Sequence, residues 1–190
     1  MTASPSRDSV RQFVGAVSFA ALVGVGAWIS LPVGPVPITL QVFFLYLAAI
    51  LLRPRFALLS MTLYVLMGLV GLPVYASGGS GLAVLIGPTG GYLVGFILGA
   101  TTASLVVHAT PFSRSPSRLK RVLTFLVALL ICSAIIHGVG ASWGKYQTSL
   151  DWKAVFLTWV LPFLPVDGVK ILIAPFLADE IRRRRIFVSP

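Results

Sequence analysis

The chain has 190 residues, 57% of them hydrophobic and only 11% charged, well below the ~25% charged content of soluble domains. That balance excludes an ordinary soluble domain and predicts an all-α integral membrane protein, one helical domain over residues 1–190. A formal charge of +10 would suggest nucleic acid in a soluble protein, but the bases here sit between apolar runs, where membrane orientation accounts for them.

Six spans are predicted. A polar tail, about residues 1–12, leads into the first span at 14–31, read as a retained span and not a removed signal peptide. Within it Ala16, Ala20 and Gly24 recur every four residues, a stripe that lets another helix approach closely. The stripe suits either packing within this chain or docking by a second membrane protein. PVGPVPITLQ, residues 32–41, opens the second span at 38–52, and Thr39 and Gln41 bring polar groups to its otherwise apolar start. The third span is 56–72.

A glycine-rich stretch follows, PVYASGGSGLAVLIGPTGG. Glycines such as Gly79 and Gly90 permit close backbone approach, which suits a non-helical segment lining a cavity. Tyr75 offers an aromatic wall there, and Thr89 and Tyr92 offer hydroxyls. The apolar centre LAVLIG predicts a loop tucked into the bundle. The fourth span is 92–109 and the fifth 119–139. His108 and His137 read as packing or interface residues, and Cys132, the single cysteine, as a small buried hydrophobe. The last apolar block, 154–178, is interrupted by Pro162, Pro165 and Pro175. It predicts a short outer segment, a break near the first two prolines, then a sixth helix. A basic tail, about 180–190, ends the chain.

The distribution of bases orients these spans. With a cytoplasmic N-terminus, twelve of the fifteen Lys and Arg residues fall on the cytoplasmic side. Lys145 and Lys153 are outside, and Lys170 is the fifteenth. Both termini are therefore expected in the cytoplasm. From Asp167 to Arg182 is about 22 Å of helix at ~1.5 Å per residue, which puts Asp167 in the outer third of the membrane. The 1–2 turn and the glycine-rich 3–4 stretch lie on that same side.

PVDGVK, residues 165–170, places Asp167 and Lys170 three residues apart in an apolar block. At i and i+3 they share a helix face. They either neutralise each other and pin the helix, or line an outward-facing cavity where Asp167 accepts N–H groups and Lys170 meets an anion; one pair can do both. Ionisable groups in a span are costly and usually face a cavity or the bundle interior.

Catalytic motifs are weak. GGSG at 78–81 has the form seen around the serine of rhomboid proteases, but the chain contains no asparagine to stabilise an oxyanion. An aspartyl protease needs two intramembrane acids, and Asp167 stands alone. No Gly-Lys-Ser/Thr follows GPTGG, so no phosphate loop is formed, and histidine and cysteine are too few for a metal site. The chain is not expected to be an enzyme.

VGPVPITLQ, GLPVYASGGSGLAVLIGPTGGYLVGF and PFLPVDGVK, in that order, resemble the BioY family, the biotin-specific substrate-binding components of energy-coupling factor transporters. The resemblance runs from about residue 14 to 180. It implies a six-helix protein of the prokaryotic cell membrane whose outward site binds biotin. It also implies partners: a transmembrane coupling subunit and paired cytoplasmic ATPases, with docking at Ala16 and Ala20. Asp167 and Lys170 match the family's substrate contacts. No cofactor or metal is implied. The alternative is a lone or proton-coupled small-solute porter using Asp167.

Overall fold

In the computed structural model, which describes residues 6–32 and 36–184, the chain forms a bundle of helices with one two-residue-per-strand ribbon. The remaining parts of the N-terminal tail, of the 32–41 motif and of the C-terminal tail (1–5, 33–35 and 185–190) lie outside the described residues.

Helix α1 spans Arg7–Trp28, so it begins well before the expected span and absorbs half of the polar tail. Its start is set by Ser6, whose side chain accepts from the Ser9 N–H, the usual serine N-cap. The polar first turns are tolerated because they are tied down: Gln12 is buried and its Oε1 accepts the Arg53 N–H at 2.7 Å. Strand β1 (Ser30–Leu31) pairs antiparallel with β2 (Ile38–Thr39), Ser30 opposite Thr39.

Helix α2 (Gln41–Leu51) is the hub. Its residues 45–51 are all buried, and it packs against α1, α3 (Pro54–Leu69), α5 (Gly90–Ala109), α6 (Arg118–Thr148) and α8 (Leu164–Arg183). An apolar run with no polar face reads as buried all round, and here neighbouring helices and not lipid do the covering.

After α3 the glycine-rich stretch forms a 3₁₀ turn at Ala76–Gly78 and a short helix α4 at Leu82–Ile86. Gly78 and Gly81 take positive φ (76° and 83°), the conformation that favours glycine. The expected tucked-in, non-helical centre is thus half right. Val84 and Leu85 pack on the core, while Leu82 and Ile86 stay exposed, because one turn of helix turns opposite residues outward.

Helix α6 runs nine residues past the expected fifth span. Gly140 and Gly144 make that possible, since any Cβ there would strike the rings of Tyr92 and Trp159. The last block behaves as its prolines predict. Helix α7 (Trp152–Val155) continues into a π-turn at Phe156–Val160, and after a short break α8 follows at 48°. Pro175 lies inside α8 without ending it, and α8 continues through residues 180–183 of the expected tail.

Among the described residues, α1, α5 and α6 are long and apolar enough to cross a membrane. The bent α7–α8 pair passes the same test as one span, and α2 and α3 are shorter apolar helices. The molecule is an all-α membrane protein.

One end of the bundle is basic. Arg53 approaches Asp8 at 3.8 Å, Arg55 donates to Ser9, and Arg118, Arg121 and Arg183 surround the buried Asp179. The start of α1, the α2–α3 turn, the α5–α6 loop and the end of α8 therefore meet there. The starts of α2, α5 and α8 meet at the other end, with the loop after α3.

Candidate ligand site

A cavity of about 300 Å³ opens among those starts, at the low end of the ~300–1,000 Å³ usual for small-molecule sites. Each side chain in it arrives for a local reason. Thr39 ends β2 and Gln41 begins α2, so both project from the ribbon–helix junction. Thr39 Oγ1 donates to Gln41 Oε1 at 3.0 Å, and Gln41 Nε2 donates to the Tyr64 hydroxyl on α3. Tyr75 lies edge-on to Tyr64 and its hydroxyl donates to the Val65 carbonyl at 2.6 Å. Thr89 stands just before α5 and lines the cavity with Tyr92. The Tyr92 hydroxyl donates to the Trp159 carbonyl at 2.6 Å, so α5 is fastened to the π-turn where carbonyls depart from the α-helical pattern.

Asp167 and Lys170 lie in the first two turns of α8 and line the cavity. Lys170 Nζ donates to Asp167 Oδ1 at 2.8 Å and to the Thr39 carbonyl at 2.9 Å. Two of its three N–H donors are used in this way. The other Asp167 oxygen, Oδ2, is 3.0 Å from His137 Nε2 on α6. A carboxylate only accepts, so with a neutral imidazole Nε2 carries the proton. Asp167, Lys170 and His137 are each buried, with side-chain exposures of 3%, 9% and 8%. Charges so placed need the pairing they have.

Seven of the nine expected ligand residues converge on the cavity: Thr39, Gln41, Tyr75, Thr89, Tyr92, Asp167 and Lys170. Gly79 and Gly90 do not line it. The Gly79 carbonyl accepts the Tyr75 N–H at 2.9 Å, which shapes the loop behind the wall. A Cβ on Gly90 would collide with the Leu85 carbonyl, so that glycine seats α4 against α5. His137, read as packing or interface, is corrected to a cavity residue bonded to Asp167; a lone histidine in an apolar helix carries no sign of a partner thirty residues away. Tyr64, Phe96 and Phe163 were also missed, because aromatics at helical spacing look like core. His108 binds its own helix, Nδ1 lying 2.9 Å from the Ser104 carbonyl.

The stripe on α1 is packed within the chain. Ala16 and Ala20 are 0% and 2% exposed, and a Cβ on Gly24 would sit 3.2 Å from Val74. Helix α1 packs on α2 and α3, so these buried small residues admit neighbouring segments of this chain. Cys132 is buried as expected. Among the described residues no group of three metal-ligating side chains occurs.

The fold and cavity together define a helical membrane protein with a mainly apolar pocket whose polar groups converge from five helices, the architecture of a small-solute binder. The BioY family model matches residues 1–186, and the chain belongs to the BioY family. The biotin transporter BioY of Thermotoga maritima is 37% identical, over 93% of this chain and 99% of its own. The probable biotin transporter BioY of Pyrococcus horikoshii is 38% identical, over 86% and 91%. Among solved structures, the fold is similar to the S-component for biotin from an ECF-type ABC transporter. There the TM-score is 0.84 at 23% identity, covering 95% of each chain.

Proposed function

We propose that this chain is the high-affinity biotin-binding subunit of an ATP-driven vitamin uptake transporter. It forms one six-helix domain in a prokaryotic cell membrane, with both termini in the cytoplasm and the cavity facing outward. Its relatives are named as biotin transporters, and the chain is a transport protein and not an enzyme. Partners supply the energy: a transmembrane coupling subunit and paired cytoplasmic ATPases, as an S-component of an ECF-type ABC transporter implies.

The observation that carries this reading is the Asp167–Lys170 pair set into an apolar cavity beside Gln41, Thr89 and Tyr92. Biotin has a ureido ring with two N–H donors and a carbonyl, an apolar thioether ring, and a valerate carboxylate. An acid, a base and three hydroxyl or amide groups within aromatic walls match that list. The gathering of bases at the opposite end supports an outward cavity. In the six-helix reading α2 and α3 count as spans despite their length, since protein around α2 replaces lipid.

Calorimetry of the purified chain in detergent tests the proposal. Saturable binding of biotin that Asp167→Asn abolishes is expected. Equal binding in both would move the site away from α8, and absence of binding in the wild type would overturn the function.

A further inference from the structure

With a neutral imidazole at His137, the groups that line the cavity sum to zero charge. Among its described lining residues the ionisable groups are Asp167, Lys170, His137 and three tyrosines, Tyr64, Tyr75 and Tyr92. Lys170 neutralises Asp167 at 2.8 Å, and phenols are uncharged at neutral pH. A ligand that brings a carboxylate adds one negative charge to a compartment whose three key side chains are nearly out of water. A net buried charge in a membrane interior is strongly unfavourable unless something offsets it.

His137 is the group able to do so. Its Nε2 side is committed to Asp167 Oδ2 at 3.0 Å. Among the described residues its Nδ1 is buried and has no hydrogen-bond partner, so a nitrogen lone pair is held there unused. Its surroundings contain no competing base. Against it lie Tyr92 of α5 and Phe163 at the start of α8. On its other side lie Ser133 of its own helix α6, Phe156 and Val160 of the π-turn, and Leu164 of α8. None of these carries a positive charge. Lys170, the remaining cation, already carries its charge on Asp167 and the Thr39 carbonyl.

We infer that His137 makes ligand binding proton-linked: it takes up one proton from solvent as an anionic ligand enters beside Lys170. The empty site holds Asp167⁻ and Lys170⁺ with a neutral imidazole. The filled site holds Asp167⁻, Lys170⁺, the ligand carboxylate and an imidazolium, with the added proton on Nδ1. Both sums are zero. The imidazolium also keeps a cation against Asp167 Oδ2 when the ligand competes for Lys170. This rests on the biotin reading of the cavity.

Calorimetry of biotin binding in two buffers of different ionisation enthalpy counts the protons. At a pH above the imidazole range the wild type is expected to take up about one proton per biotin. A biotin methyl ester, which lacks the carboxylate charge, is expected to take up close to none. His137→Gln keeps an N–H donor for Asp167 but cannot hold an extra proton, so it is expected to bind biotin more weakly and with no uptake. Wild-type binding without uptake overturns this inference alone. Uptake persisting in a His137→Gln protein that elutes as wild type also overturns it, because another group would then titrate. If the wild type binds no biotin, the reading of the cavity falls and this inference with it.

Discussion

Lys170 Nζ reaches the carbonyl oxygen of Thr39 at 2.9 Å, joining residues 131 positions apart. The bond ties the start of α8 to the ribbon that precedes α2, and both residues line the cavity. One ammonium thereby braces the cavity wall while offering a charge to whatever enters.

Lys170→Ala removes that tie and leaves Asp167 with His137 as its basic partner. Affinity for biotin is expected to fall by about 1–3 kcal/mol or more, since a buried carboxylate loses its closest cation. Lys170→Arg is expected to recover little, because a planar fork does not replace a point donor in a fitted site. Titration calorimetry of the two variants checks both statements.

Gly68 and Gly138 should respond oppositely to alanine. A Cβ on Gly68 would overlap the ring of Tyr75, whereas a Cβ on Gly138 meets nothing within 4 Å. Gly68→Ala is expected to cost about 1–3 kcal/mol of stability, the usual range for overpacking, and to weaken binding by displacing a cavity wall. Gly138→Ala is expected to stabilise α6 by up to about 1 kcal/mol with binding unchanged. Melting temperatures in detergent, with and without biotin, separate the two.

Ala20→Trp is expected to damage folding and not merely assembly with partners. The side chain would enter a seam that is 2% exposed, where even a few added methylenes cost about 1–3 kcal/mol. Size-exclusion profiles should show loss of monodisperse protein. A well-behaved Ala20→Trp chain that still binds biotin would mean that α1 can swing away from α2 and α3.

Much of this was legible in the chain itself. The all-α, apolar character followed from composition and the basic end from charge counting, because both signals are local and strong. Asp167 and Lys170 were legible because two charges within PVDGVK break an apolar run. His137 was not, since what gives it a role is Asp167 across the α6–α8 interface. The α1 stripe was ambiguous for a physical reason: small residues every four positions let any helix approach, and only the folded arrangement says whose. The length of α1 was missed because Ser6 caps it and Gln12 is paid for by Arg53, contacts invisible to hydropathy.

Asp179→Asn probes the opposite end. Its carboxylate, 2% exposed, holds Arg121 at 2.7 Å, Arg118 at 3.3 Å and Arg183 at 3.5 Å. Two of those guanidinium groups are more than half exposed, so solvent screens part of the effect. A loss of about 1–3 kcal/mol in stability is expected, with biotin affinity within a factor of about two, because additivity holds for distant sites. Thermal melting and calorimetry on one preparation read both.

The burial of α2 has a consequence for biogenesis. Eleven residues of helix rise about 16 Å, roughly half of a ~30 Å hydrocarbon core. Its covering helices α5, α6 and α8 are synthesised after it. On emerging from the ribosome α2 has only α1 to lean on, with α3 next to follow, so its final seat awaits the last helix. The binding pocket is completed at the same moment, since α8 brings Asp167 and Lys170. A nascent chain halted before α8 would hold most of the walls and neither charge.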